Sequence, residues 1–311
     1  MNKLHLYKIV FIFLLAISLI GCTNEQNEDY FYKFYDDLNQ EIKLKEKPKK
    51  VAVLFSSFAE VWILAGGEVN ISVYESVERG FASNDVILVD SGAGKTINLE
   101  LLVSSQADFV ICSKDIEAQV NASKLLNSNG IPAACFKVEH FNDYLKMLDV
   151  CTDILERKDL YKINGLEVKE RIDLIFDSLN KDIIYKNILF VRAGSSNKST
   201  KAKIAKDHFV AQMLDEIKTY NIANNAKVLL DGLSVEEILI ENPDYIFIST
   251  MGNLEGAISY MDSLLSSEVW SNLDAVKNKN YVYLPKELFQ FKPNNKWDIA
   301  YQYLVDICYG K

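Results

Sequence analysis

Two glutamates invite a chemical reading because they occur twice in the same setting. Ile97-Asn98-Leu99-Glu100-Leu101-Leu102 runs on to Ala107-Asp108-Phe109-Val110-Ile111-Cys112. Leu233-Ser234-Val235-Glu236-Glu237-Ile238 runs on to Pro243-Asp244-Tyr245-Ile246-Phe247-Ile248, and the two stretches align without a gap at a constant offset of 136 residues. Each reads as a side-chain cap (Asn98, Ser234), a short apolar helix, a turn and an apolar strand opening at Asp108 or Asp244. Glu100 and Glu236 fall in the first helical turns, where a carboxylate favours its own helix dipole by about 0.3–1 kcal/mol. That accounts for both residues without a function. The functional reading is a matched pair of negative knobs on one face of a two-lobed body. A single widely spaced duplicate argues for two similar lobes, because a solenoid needs at least about three short stacked units.

Cations and aromatics supply the other chemistry. Arg192 directly follows an apolar strand, at the carboxyl end where α/β sheets bind ligands, and an anion is the partner that suits it. Lys198, Lys201, Lys203 and Lys206 follow in the same polar stretch and read as a solvated run. Phe289-Gln290-Phe291-Lys292-Pro293-Asn294-Asn295-Lys296-Trp297 places aromatics and cations at the start of the last helix. Core packing of Phe291 and Trp297 and ligand contact fit that stretch equally well. Ser91-Gly92-Ala93-Gly94-Lys95-Thr96 looks like the end of a phosphate-binding loop between a strand and a helix. Val89, however, stands where that motif needs its first glycine. A tight turn at the ligand-facing sheet edge is the better reading of it.

Nothing points to catalysis. There is no Gly-x-Ser-x-Gly elbow and no helical His-Glu-x-x-His, and beyond the first residues the chain holds only His140 and His208, far apart. A histidine-rich zinc or manganese centre is not expected, and no cofactor is called for.

The elements that would carry these residues alternate. A hairpin is predicted over Tyr30 to Lys45. Strands follow at Lys50–Phe55, Ile71–Tyr74, Asp85–Val89, Asp108–Cys112 and Ala133–Val138, with helices between them. Strands alternating with helices predict an α/β lobe with a mainly parallel sheet. From Phe141 to Asn180 the apolar residues keep helical spacing, split near Lys158 into a lobe-ending helix and one long helix linking the lobes. The second lobe repeats the pattern: a strand at Asn187–Val191, a helix at Asp207–Tyr220, the repeated helix and strand, a helix at Leu254–Leu265, a strand at Tyr281–Leu284 and a final helix at Asn295–Cys308. The fold class is therefore α/β, with two lobes of mainly parallel central sheets joined by one long helix.

The 311-residue chain opens with Lys3 and Lys8 and an apolar run from Ile9 to Ile20. That run is short for a membrane span and reads as a secretory signal. Without those two lysines the chain carries 32 basic and 43 acidic side chains, a net charge near −11 with histidine neutral, which disfavours nucleic acid. The remaining cysteines, Cys112, Cys135, Cys151 and Cys308, form no Cys-x-x-Cys pair and read as buried thiols, although the sequence assigns no disulfide.

Leu19-Ile20-Gly21-Cys22 resembles the lipobox of bacterial lipoproteins, which implies cleavage before Cys22 and lipid on its sulfur. The rest resembles the substrate-binding proteins of bacterial ABC importers for ferric siderophores, haem and cobalamin. The segments that carry the resemblance are Asp36-Asp37-Leu38-Asn39-Gln40-Glu41-Ile42 with Pro48-Lys49-Lys50-Val51, Glu60-Val61-Trp62-Ile63-Leu64-Ala65-Gly66-Gly67, and the two copies around Glu100 and Glu236. The resemblance implies a lipoprotein signal over 1–22, a tether and hairpin over 23–48, a first lobe over 49–157, an interlobe helix over 158–181 and a second lobe over 182–311. It also implies that Glu100 and Glu236 dock onto arginines of an ABC permease, which works with an ATPase.

A ligand would then sit between the lobes, against Ser56, Ser57, Phe58, Tyr74, Lys95, Lys114, Arg192, Met251, Phe291, Lys292 and Trp297. The expected cargo is an iron chelate, a ferric siderophore first, with haem or cobalamin as alternatives; Tyr74, His208 and Met251 are the side chains available to haem iron. An exported enzyme or a sensor lipoprotein on this scaffold is the alternative from another class. The protein is expected to be a monomer held by its lipid on the outer face of the cytoplasmic membrane.

Overall fold

The computed structural model describes residues 29–90, 96–179 and 185–310. Cys22 with its signal, and Lys95 with its glycine turn, lie outside the described residues. A hairpin of β1 (Tyr32–Tyr35) and β2 (Glu41–Leu44) opens the chain. Asp36 closes its turn by accepting from Leu38 N and Gln40 N, both at 2.9 Å.

The first lobe contains β3 (Val51–Val53), α1 (Ser56–Leu64), β4 (Ile71–Ser72), α2 (Tyr74–Glu78), β5 (Ile87–Leu88), α3 (Leu99–Ser104), β6 (Phe109–Ser113), α4 (Glu117–Ser128) and β7 (Ala133–Phe136). Its sheet is parallel throughout, in the order β5-β4-β3-β6-β7. Every residue of β3, β6 and β7 is buried, as expected of strands covered on both faces.

Helix α5 (Phe141–Leu155) closes this lobe. A long helical stretch follows as α6 (Lys158–Tyr161), a π-turn (Lys162–Leu166) and α7 (Glu167–Ser178). The π-turn displaces one carbonyl from the helical ladder, and Tyr144 Oη donates to Asn164 O there at 2.8 Å. Asn164 Nδ2 donates to Leu64 O of the first lobe (2.9 Å), and its Oδ1 accepts from Asn295 Nδ2 of the second (3.2 Å). The irregular turn thus ties the connecting helix to both lobes.

The second lobe contains β8 (Lys186–Ala193), β9 (Lys201–Ala202), α8 (Phe209–Glu216), β10 (Thr219–Asn221), α9 (Val235–Glu241), β11 (Tyr245–Thr250), α10 (Leu254–Leu265), α11 (Asp274–Lys277), β12 (Tyr281–Tyr283), α12 (Lys286–Phe289) and α13 (Trp297–Tyr309). Its parallel strands run β10-β8-β11-β12, and β9 folds back antiparallel on β8.

The internal repeat has a structural meaning. Asp108 accepts from Lys49 N (2.8 Å) and Lys50 N (3.0 Å) just before β3, and Asp244 accepts from Asn187 N (2.9 Å) in β8. Each aspartate pins the base of its central strand to the neighbouring one. The helices before them end at matched left-handed residues, Gln106 (φ 56°) and Asn242 (φ 38°). Asn98 caps α3 by accepting from Leu101 N at 3.0 Å, whereas Ser234 makes no side-chain cap bond on α9, contrary to its expected role.

Two further expectations are corrected. The second strand stops at Ser72, whose hydroxyl donates to Val53 O at 2.7 Å, and Tyr74 begins a helix. The helix expected over Asp207–Tyr220 ends at Glu216, because Lys218 is left-handed (φ 65°) and the chain re-enters the sheet as β10.

The largest core runs through both lobes. It joins Val53, Trp62 and Phe109 of the first with Phe190, Phe247 and Trp297 of the second, through α5 and α7. Lobes that share a core cannot swing apart without exposing it.

Candidate functional site

The carboxyl ends of both sheets face one cleft. Its inner chamber, about 310 Å³, is walled by Phe55 and Phe58 from the end of β3 and the start of α1, and by Ser113 and Val138 beyond β6 and β7. From the second lobe come Arg192, His208, Phe209 and Lys292.

Arg192 stands on the central strand β8, paired in register with Ser249 and with Lys201 of β9. The chain must turn sharply straight after it. Thr200 Oγ1 donates to Gly194 O (3.0 Å) and accepts from Gly194 N (3.1 Å). A Cβ on Gly194 would meet Ser199 Oγ at 2.3 Å, so only glycine allows this close return. Lys292 comes from the loop between α12 and α13. Its ammonium lies 4.7 Å from the Phe209 ring centroid, and its backbone N–H donates to Ser57 Oγ across the cleft at 3.4 Å.

Among the described residues neither Arg192 nor Lys292 has an ion-pair partner within 4 Å. Burial lowers the Arg192 pKa from the ordinary arginine value. Burial likewise pulls Lys292 down to about 8, against the opposing pull of Asp115, Glu139 and Asp143. Asp115 and Asp207 also line the chamber but are solvent-exposed at its rim, and Glu139 is engaged with Lys137 at 2.7 Å. His208 caps α8 by accepting from Val210 N at Nδ1 (3.2 Å) and lies between Phe190 and Phe209, with centroids 5.1 and 5.0 Å away. Burial first, then the charges of Arg192, Lys292 and Lys203, hold it down to about 3, so the imidazole is neutral at physiological pH.

A second cavity of about 510 Å³ lies where α1 and α2 meet the loop around Phe291. Arg79 fills its inner wall. Its guanidinium lies 3.8 Å from the Phe291 centroid and 4.7 Å from that of Phe81, it pairs with Glu60 at 3.6 Å, and it donates to Ser56 Oγ (2.9 Å) and Ser57 Oγ (3.1 Å). Ser56 also donates to Glu75.

The structure therefore brings Phe58, Arg192 and Lys292 together in one chamber and puts Phe291 in the other. Ser56 and Ser57 are fully buried behind them, holding Arg79. Trp297, 1 % exposed, packs edge-on against Phe141 and Phe209. Tyr74 is exposed on α2, the Lys114 ammonium donates to Asp37 O at 2.7 Å, and Met251 N donates to Ala193 O at 2.9 Å; none of these three lines either cavity. Sequence reasoning missed Phe55, Phe209 and Arg79. Phe55 ends a buried strand at the sheet edge and was legible there; Arg79 and Phe209 carry no local signal. Glu100 and Glu236 are both exposed in the first turns of α3 and α9.

Two parallel-sheet lobes on a shared helical spine, with a desolvated cleft between them, define a two-lobed binding protein. Residues 51–288 match the family described as Periplasmic binding protein, and the chain belongs to that family. A curated relative from Bacillus subtilis (strain 168), named as an uncharacterised ABC transporter substrate-binding lipoprotein, YvrC, is 25 % identical over 284 residues, covering 86 % of this chain and 85 % of that one. Similar folds include Staphylococcus aureus SirA complexed with staphyloferrin B (TM-score 0.68, 18 % identity, 89 % of this chain and 98 % of that one). S. aureus IsdE complexed with heme is also similar (TM-score 0.67, 15 % identity, 84 % and 98 %).

Proposed function

We propose that the protein is the substrate-binding component of an ABC importer and captures a small anionic iron chelate, a ferric siderophore first. One observation carries the reading: Arg192 and Lys292 enter the same chamber from different strands and loops, both desolvated, with no carboxylate paired to either. A buried cation without a partner is costly, and an anionic ligand supplies the partner through charge-assisted hydrogen bonds. Phe55, Phe58 and Phe209 give flat apolar walls for an aromatic or hydrocarbon arm. The importer role draws on the named relative, and the chelate class on the proteins with similar folds.

Haem is the second reading, favoured by His208. A neutral imidazole beside the chamber, flanked by aromatic rings, could ligate iron through Nε2 once Nδ1 takes the ring proton and gives up its cap bond to Val210 N. Delivery to a permease, lipid anchoring through Cys22 and action outside the cytoplasmic membrane belong to the same proposal, as does the absence of enzymatic turnover.

Melting of the chain lacking residues 1–22 in the presence of ferric siderophores, haem and cobalamin tests it. A true ligand at about a hundred times its dissociation constant adds roughly 2.7 kcal/mol. Stabilisation by a siderophore that Arg192→Ala removes supports the first reading. A Soret shift that His208→Ala abolishes supports the second. No stabilisation by any of the three classes overturns the iron-chelate assignment.

A further inference from the structure

Cys112 and Cys135 face one another across the first sheet. They are register partners on the parallel strands β6 and β7, both 0 % exposed, on the side packed against α4. Adjacent strands lie about 4.7–4.9 Å apart, inside the roughly 4.4–6.8 Å Cα span of disulfides. Cys135 Sγ donates to Ser123 Oγ of α4 at 3.1 Å. The neighbouring thiol and burial push the Cys112 pKa well above the ordinary thiol value. Cys151 and Cys308 are buried in the core shared by both lobes, away from this pair.

We propose that Cys112 and Cys135 are a two-electron redox site that closes to a cross-strand disulfide. The oxidant is a low-molecular-weight disulfide such as oxidised glutathione. The Cys135 thiolate attacks it and expels one thiol, giving a mixed disulfide on Cys135. The Cys112 sulfur then attacks the Cys135 sulfur and expels the second thiol. Two S–H bonds break, one S–S bond forms, and the oxidant leaves as two thiols carrying both electrons and both protons.

The site is well placed to matter, since Ser113 and Val138 on the chamber wall lie just beyond the two cysteines. The hairpin is also tied here, through Cys135 N donating to Asp36 Oδ2 at 2.9 Å and Asp37 N donating to Cys135 O at 3.0 Å.

Because both thiols are buried, the test refolds the full chain in buffers of increasing oxidised-to-reduced glutathione ratio, then denatures and alkylates without reductant. The expected result is loss of alkylation at Cys112 and Cys135 together, a linked 112–135 peptide in the digest, full alkylation of Cys151 and Cys308, and recovery of both thiols with dithiothreitol. Cys112→Ser should leave Cys135 open to alkylation or to glutathione capture. Alkylation of all four cysteines at every ratio overturns the proposal, and so does a linked peptide joining any other pair.

Discussion

Asn294 of the second lobe donates its Nδ2 to Glu60 Oε2 of the first at 2.8 Å, and also reaches Ser57 O at 2.8 Å. Asn294 is 0 % exposed and left-handed (φ 52°), and Glu60 is further held by Arg79. The clasp sits two residues after Lys292, so it fixes the loop that carries that cation. Asn294→Gly removes the side chain without backbone strain. It leaves a buried carboxylate short of a donor, at about 1–3 kcal/mol. Urea unfolding should show that loss, with weakened ligand binding beside it; an unchanged midpoint would mean the clasp holds nothing.

Arg192→Ala and Lys292→Met should each weaken binding of the anionic ligand. A hydrogen bond to a charged group is worth about 1.5–3 kcal/mol, roughly a 10- to 150-fold rise in dissociation constant by calorimetry. The empty protein should be no less stable, because each change removes a desolvated and unpaired charge. Equal affinity in both variants would move the ligand elsewhere.

The pH dependence has a definite sign. Lys292 titrates near 8 in the fold because burial disfavours its charge, below the unfolded lysine value of about 10.4. Between those values the unfolded chain holds more protons, so stability of the empty protein rises with pH across that window. Affinity for an anion falls as pH climbs past about 8. Lys292→Met should flatten both trends.

His208, held down to about 3 chiefly by burial, acts at the other end. As pH drops from about 6.5 the unfolded chain takes up a proton that the fold refuses, and stability falls. Melting temperatures of His208→Gln should be less acid-sensitive than those of the parent.

Glu100 and Glu236 are exposed at matched positions on α3 and α9. Reversing both charges to lysine should abolish uptake into cells while leaving ligand affinity within about twofold, since neither lines a cavity. Transport by the double variant equal to that of the parent would remove them from the permease contact.

Much of the architecture is legible in the chain itself. Buried parallel strands such as the one through Phe109–Cys112 are continuous apolar runs, and the offset copy around Asp108 and Asp244 announces two equivalent sheets. Short elements were harder. The two-residue strand at Ile71 and the turn from α8 into β10 are decided by the Ser72 hydroxyl reaching Val53 O and by Lys218 taking a left-handed backbone, and local pattern does not encode that.

The site divides along the same line. Arg192 could be named from sequence because a cation after a buried central strand must emerge at the ligand edge of the sheet, wherever the other lobe lies. Local sequence also set the periodicity of the strands and helices, because burial of one face or both dictates the spacing of apolar residues. Only the tertiary structure brought Lys292 opposite Phe58, turned Ser56 and Ser57 toward Arg79, buried Trp297 in the shared core and aligned Cys112 with Cys135. Each of those is a meeting of segments distant in the chain, and their geometry depends on how two lobes and one helix pack, which no single stretch of residues specifies.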